Sequence, residues 1–269
     1  MSGQAHQIAG SGRGYRDVET RILKRLKKEP LLEAIWELRF GTDTDAPVGL
    51  GEILPGILFQ SLRDRYPVTT RLPAADIPRP IARQNGILRY VPTIRMEAVS
   101  GAPFAIQVGD HMVSLNNRRP YAGWGEFSQR IRELAHVLES SGLIQKPERF
   151  SLKYIDLIEL DPQPSLASLR VSLTLAGNNL RDRPTQLRTE IRNGAFAYII
   201  QIATPADVTI PPGEQRRGTL VDIDTICHTT EEFWGRLDER TNSAHQSSKQ
   251  LFLDLLTEEA LDRLEPLYE

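Results

Sequence analysis

The stretch from Arg149 to Leu160 constrains the fold more than any other part of the chain. It is rich in the β-branched and aromatic residues that fit a pleated surface. Alternation puts apolar side chains on one face, and Ile155 and Leu157 add apolar groups to the other face. Because a strand that is apolar on both faces is usually covered on both sides, we predict a central β-strand here. The apolar residues of the first face are Phe150, Leu152, Tyr154, Ile158 and Leu160.

A carboxylate, Asp156, interrupts the apolar face of this strand between Tyr154 and Ile158. Burial of an unpaired carboxylate costs much free energy, because the charge loses its hydration. The sequence therefore predicts that Asp156 is buried and held by a cation or by backbone N–H donors.

The same alternation predicts further strands before and after the central one. Gly109-Asp110 and Asn193-Gly194 are two-residue turns of the kind that joins the strands of a hairpin. The first turn would place Ile106 opposite Val113. The predicted strands are 31–40, 87–99 with an interruption at Pro92, 104–108, 111–115, 169–175, 188–192, 195–200 and 219–228.

Apolar residues at helical spacing predict four helices. Pro55 suits the first turn of the first helix, and Gly142 is a typical stop for the second. The long third helix should begin near Glu231, with Thr229 or Thr230 as its N-cap. Small residues in its middle would let another group approach the helix backbone closely. The helices are predicted at 53–66, 124–138, 231–255 and 257–264. The small residues of the third helix are Ser243, Ala244, Ser247 and Ser248. Residues 67–85 are predicted as a long ordered loop.

Strands that pair mostly in hairpins, with helices collected after them, indicate an α+β fold. We predict a mainly antiparallel sheet with the helices packed on it, and leave open whether the chain has two similar halves. The predicted organisation is a flexible basic N-terminal arm at 1–29, an α+β half at 30–164 and a second α+β half at 165–269, packed as one unit. Within the arm, Arg21–Lys28 is a short helix or a mobile segment whose charges are either solvated or bind an anion.

Composition excludes several classes of protein. The formal net charge of −2 does not indicate a nucleic-acid partner, although it leaves one open. The one cysteine, Cys227, excludes an internal disulfide framework and a cysteine zinc site, as expected for a reducing cytosol. No apolar run reaches the roughly 20 residues that span a bilayer, and the polar start lacks a signal-peptide core. We therefore predict a cytoplasmic protein without a membrane partner.

Four stretches, taken in order, resemble a sporadically distributed bacterial family of about this length for which no activity is established. Lys153 and Asp156 depart from the family pattern, which has Arg and Asn there. We take Lys153, Asp156 and His245, which lie in these stretches, as candidate ligand-binding residues. A patchy distribution resembles that of mobile-element or defence-associated genes. The stretches are Pro30–Phe40 with the sequence Pro-Leu-Leu-Glu-Ala-Ile-Trp-Glu-Leu-Arg-Phe, Tyr121-Ala-Gly-Trp124, Leu152-Lys-Tyr-Ile-Asp156, and Asp222-Ile-Asp224 followed by a helix with His245, Phe252 and Leu256-Thr257.

Asp222 and Asp224 share one face of a predicted strand, about 7 Å apart by the strand rise. Carboxylate oxygens suit Mg²⁺ or Mn²⁺, so these two residues are a candidate metal site. The alternative is that they form salt bridges with Arg188 or Arg192. His245 is either a hydrogen-bonded helix residue or a catalytic base.

The sequence leaves two functions open. It has no Gly-rich phosphate loop, His-Glu-x-x-His or Gly-x-Ser-x-Gly motif, so we predict no cofactor and assign no catalytic residue. The first function is a non-catalytic protein that binds a small ligand or another protein of a mobile-element or defence-associated gene system, with a homo-oligomer left open. The second is a metal-dependent hydrolase or nuclease that uses the Asp222/Asp224 strand. Some of the polar residues that interrupt apolar patterns should converge near the middle of the long helix. These residues are Lys153, Glu159, Asp222, Asp224 and His245.

Overall fold

The computed structural model describes residues 23–41, 48–86, 88–99, 101–228 and 232–268. Within them, a nine-stranded antiparallel sheet carries helices, so the predicted α+β fold is confirmed. The strands are β1 Leu23–Leu26, β2 Leu31–Gly41, β3 Val68–Arg71, β4 Ile94–Glu97, β5 Phe104–Val108, β6 Met112–Arg118, β7 Lys146–Ile158, β8 Thr174–Leu175, β9 Asn178–Asn179, β10 Thr185–Asn193, β11 Phe196–Ile210, β12 Glu214–His228 and β13 Pro266–Tyr268. The helices are α1 Leu50–Leu62, α2 Arg79–Gln84, α3 Trp124–Ser140, α4 Leu237–Leu255 and α5 Glu258–Arg263.

The strands of the main sheet follow the order β10-β11-β12-β7-β2-β6-β5-β4-β3. β7 hydrogen-bonds to β12 on one side and to β2 on the other. Phe150 and Leu152 are fully buried on one face, and Leu157 is buried on the other face. The prediction of a central strand is therefore confirmed. Strands from 30–164 and from 165–269 meet here in one continuous sheet.

The strand β2 buries one face, as its alternation predicts. Trp36, Leu38 and Phe40 are fully buried. The pairing with β7 shifts register between Leu31 and Glu33. Because of this irregularity the buried residue at the start of the strand is Leu31, where strict alternation predicted its neighbour at position 32.

The helix α3 packs its apolar stripe on the same sheet. Phe127, Ile131 and Leu134 are buried in one cluster with Trp36, as predicted. Gly142 follows the helix with φ at +64°, a left-handed conformation that suits glycine and ends the helix. Among the helices of the described residues, none is both long and apolar enough to cross a bilayer.

The long helix α4 begins later than predicted. It starts at Leu237, and the predicted caps at 229 and 230 lie outside the described residues. Its small residues do admit a close neighbour, which is the sheet itself. Ser247 Oγ lies 2.5 Å from the Tyr198 hydroxyl, and Ser248 Oγ lies 2.5 Å from Thr225 Oγ1. These hydrogen bonds fix α4 against β11 and β12.

Both hairpin turns differ from the predictions. In the first, three residues connect the strands, where two were predicted, and Ile106 pairs with Leu115, where Val113 was predicted. A side chain at Gly109 would meet the Val91 carbonyl at 2.6 Å, which shows how closely another segment passes this turn. In the second, Asn193 pairs with Phe196, so the predicted turn is displaced by one residue along the chain.

Other differences concern segments with weak periodicity. The predicted loop at 67–85 contains β3, a 3-10 turn and α2, and most of the predicted strand at 169–175 is irregular. Pro55 lies inside α1, because that helix begins at Leu50. The basic segment contains neither a helix nor a free arm over 23–28. It forms β1, which pairs with β13 at the other end of the chain.

Candidate ligand-binding cavity

A cavity of about 590 Å³ lies between β1, α4 and the face of the sheet on which α4 packs. This volume is in the range of small-molecule sites, about 300–1,000 Å³. Two of the three predicted ligand-binding residues, Asp156 and His245, line it. The other polar and aromatic residues of the lining include Glu29, Tyr121, Trp124, Tyr154 and Lys249, and the apolar ones include Ile223, Phe252 and Leu253.

Asp156 is buried as predicted, with 5% of its surface exposed. Within the described parts of the chain, however, its carboxyl has neither a hydrogen bond nor a paired cation. Burial, and then the neighbouring acids Glu29 and Asp222, raise its pKa to about 8. The prediction of a paired carboxylate is therefore wrong for these residues. Asp156 is mostly a neutral acid at pH 7, because protonation avoids the cost of burying a charge.

His245 is held between two aromatic neighbours. Its Nδ1 lies 2.8 Å from the Tyr154 hydroxyl, and its ring stacks on the Trp124 indole with the ring centres 3.9 Å apart. Burial, and then Lys249, lower the pKa of His245 to about 4. The imidazole is thus uncharged at neutral pH. The interpretation of His245 as a hydrogen-bonded helix residue agrees with these contacts.

Two tyrosine hydroxyls complete the inner part of the cavity. The Tyr121 hydroxyl is buried without a well-formed hydrogen bond among the described residues, and the group closest in effect to it is the Tyr154 hydroxyl, with which it interacts directly. Burial raises the pKa of Tyr121 and of Tyr154 above the ordinary tyrosine range. The inner cavity therefore combines polar groups that are mostly uncharged at neutral pH: two hydroxyls, one imidazole and one carboxylic acid.

Charged groups also line the cavity, and several of them are paired. They are Lys24, Arg25, Lys27, Glu29 and Lys249. The Lys249 ammonium donates a hydrogen bond of 2.6 Å to the Leu23 carbonyl oxygen, which joins α4 to β1. Lys27 forms an ion pair with Glu265 at 3.6 Å. Burial raises the pKa of Glu29. The lining therefore includes an acid, Glu29, and two cations, Lys27 and Lys249, that already bind oxygen atoms of the protein.

Lys153, Asp222 and Asp224 lie on the opposite face of the sheet. In β12, Thr225 reaches Ser248 of α4, so the even-numbered residues of that strand point away from the helix. Lys153 faces the same way and its ammonium lies 3.6 Å from the Asp222 carboxylate. The hypothesis that these residues converge with His245 is wrong, because strand alternation separates them by the thickness of the sheet.

Of the two candidate metal residues, Asp222 forms a salt bridge with a different partner from the ones predicted. The salt bridge of Asp222 is to Lys153, where Arg188 or Arg192 was predicted. Burial raises the pKa of Asp222, and Lys153 lowers it. Within the described residues, no group of three His, Cys, Asp or Glu side chains is placed to hold a metal ion. Metal binding at Asp222 and Asp224 therefore stays a prediction.

A larger cavity, about 710 Å³, lies beside α1 and is lined mainly by residues 71–78 and 88–94. There Arg71 is bound to Asp76 at 2.9 Å, and both side chains are largely exposed. It brings together none of the predicted ligand-binding residues, so the smaller cavity is the stronger candidate.

Sequence reasoning missed four residues of the smaller cavity: Glu29, Tyr121, Trp124 and Tyr154. The resemblance had singled out the stretches that contain three of them, but no spacing rule brings positions 29, 121, 154 and 245 together. No protein-family model and no curated protein matches this chain. The fold and the cavity alone thus define its class, an α+β protein with a buried carboxylic acid inside an aromatic cavity.

Proposed function

We propose that the protein is a non-catalytic binding protein that takes a small ligand into the cavity beside Asp156 and His245. The observation that carries this proposal is the buried acid Asp156, which has no charge partner among the described residues, in a cavity of ligand size. A group that costs free energy in the folded state and lines a cavity is a candidate functional group.

The walls of the cavity favour binding over chemistry. Tyr121, Trp124 and Tyr154 offer aromatic surface, and Ile223 and Phe252 offer apolar surface. A few polar groups among mostly apolar and aromatic walls are typical of small-molecule sites, where the polar groups orient the ligand.

The wider role is proposed on other grounds. Membership of a mobile-element or defence-associated gene system rests on the family resemblance alone, as does a protein partner from that system. The alternative of a metal-dependent hydrolase or nuclease would use Asp222 and Asp224 on the other face of the sheet, and it predicts stabilisation by Mg²⁺ or Mn²⁺.

A thermal-shift screen of the whole chain with metabolites, nucleotides and divalent ions tests the proposal, because a ligand that binds only the folded state raises the melting temperature. The diagnostic variant is Tyr121→Phe, which removes a buried hydroxyl without a well-formed hydrogen bond among the described residues and should change stability little. We expect a hit whose shift falls in this variant but persists in the exposed control His136→Ala. Hits that are all insensitive to Tyr121→Phe and to His245→Ala would contradict the proposal.

A further inference from the structure

Resting on the proposed function, a more specific conclusion concerns the chemical class of the ligand. We propose that the cavity binds an organic cation, with an ammonium, amidinium or guanidinium group against the Asp156 carboxylate. The apolar part of the ligand would lie against Ile223, Phe252 and Leu253.

The surroundings of Asp156 favour a cationic ligand. Its carboxyl lines the cavity with 5% of the residue exposed, and the charged neighbours that act on it are two acids, Glu29 and Asp222. A buried carboxylate needs a cation or several donors, and the described residues supply neither. A ligand cation would supply the missing charge partner and would make charge-assisted hydrogen bonds to a buried carboxylate.

The aromatic rings of the lining also favour a cationic ligand. Three rings, those of Tyr121, Trp124 and Tyr154, line the same cavity as Asp156. The electron-rich faces of such rings attract cations, and this attraction grows when water is excluded. An anionic ligand would gain nothing from the faces of these rings and could not form an ion pair with Asp156.

The basic residues of the lining leave room for a ligand cation, because they already have partners or face the solvent. Lys249 is bound to the Leu23 carbonyl oxygen and Lys27 to Glu265, so both already have oxygen partners. Arg25 lies close enough to Glu29 to lower the pKa of that acid. Lys24 is exposed to solvent. All four line the same cavity, but the charged groups that act on Asp156 are the acids Glu29 and Asp222, and His245 is uncharged at neutral pH.

The protonation state fits this conclusion. At pH 7 the free protein holds Asp156 mostly protonated, since its pKa is about 8. A bound cation favours the ionised form of a nearby acid, so binding should lower this pKa and release the proton to the solvent. The site then contains one ion pair, and the free protein avoids an unpaired buried charge.

Three ligands of nearly the same shape separate the possibilities: benzamidine, a cation at neutral pH, benzamide, which is neutral, and benzoate, an anion. Their binding to the whole chain is measured by thermal shift and calorimetry at pH 7. We expect benzamidine to raise the melting temperature saturably, and the other two to have little effect. Asp156→Asn should weaken benzamidine binding by more than about tenfold, since it removes one partner of a buried charge pair.

The matched control is Asp64→Asn, which makes the same change at an exposed turn and should bind benzamidine as the wild type does. Stronger binding of benzoate than of benzamidine would overturn the conclusion, as would equal binding in Asp156→Asn and wild type. If benzamide and benzamidine bind equally, the cavity takes ligands but not specifically cations, and only the broader proposal stands. If none of the three binds, the cation conclusion fails, and the broader proposal is decided by its own screen.

Discussion

The buried acid Asp156 makes a quantitative prediction about stability and pH. Its folded-state pKa is about 8, compared with 3.8 for an ordinary aspartate. Between these values the folded state keeps a proton that the unfolded state has lost, so the free energy of unfolding falls as the pH rises. Because pH 7 lies about three pH units above the ordinary pKa of 3.8 and below the folded-state pKa, the stability lost at pH 7 is roughly 4 kcal/mol.

The variant Asp156→Asn should recover this free energy, because an amide has the shape of the protonated acid and never ionises. We expect the variant to match the wild type near pH 4 and to exceed it by about 1.4 kcal/mol more for each pH unit up to about pH 8. At pH 7 its melting temperature should be roughly 10 °C higher, at about 2–4 °C per kcal/mol for a chain of this size.

Urea unfolding of both proteins at half-unit steps from pH 4 to pH 9 measures this difference, and other carboxylates cancel in the comparison. The control is Asp64→Asn at an exposed turn, expected within about 0.5 kcal/mol of the wild type throughout. A difference that does not change with pH, or an Asp156→Asn protein less stable than the wild type at pH 7, would refute the reasoning.

Three further predictions concern other parts of the molecule. Phe127→Ala removes a fully buried ring and should lower the free energy of unfolding, measured in urea melts, by about 3–5 kcal/mol. The control His136→Ala, at an exposed position of the same helix, should lower it by under about 0.5 kcal/mol. Equal losses in the two variants would contradict the packing of α3. Gly218→Ala should destabilise by at least about 1 kcal/mol, because its Cβ would lie 2.6 Å from the Ile158 carbonyl oxygen, and Gly56→Ala, a helical site with open space, should be neutral or stabilising. The His245 ring should remain uncharged in NMR titrations down to about pH 5, since its pKa is about 4; protonation near pH 6.5 would show that the ring is not desolvated.

Much of the fold could be predicted from the pattern of apolar residues, because burial of one side of a strand or helix requires that pattern. β2 buries one face beyond the register shift at its start, and β7 is buried on both faces, as predicted. The apolar stripe of α3 also predicts its packing correctly. Errors occur where local sequence competes with a distant contact. The turn at Gly109 is lengthened while the Val91 carbonyl passes close to it, and β1 is a strand because residues 266–268 pair with it.

The candidate site was only partly predictable for the same reason. An acid on an apolar face predicts burial, and Asp156 is buried. Its partner could not be predicted, because the residues around it come from four separate segments of the chain. The acids Asp222 and Asp224 were grouped with His245 from their patterns, but the direction of side chains from β12 separates them from it. Alternation shows which residues share a face of the sheet, but it does not show which of the two faces a helix covers.

The proton balance of ligand binding tests the central claim most directly. Calorimetry of benzamidine binding at pH 7, in two buffers that differ in ionisation enthalpy, gives the number of protons released for each ligand bound. If Asp156 becomes the charge partner of the cation, its pKa of about 8 predicts release of about 0.9 proton at pH 7. The release should fall towards zero at pH 9. Binding to the wild-type protein without proton release at pH 7, or with proton uptake, would contradict the account.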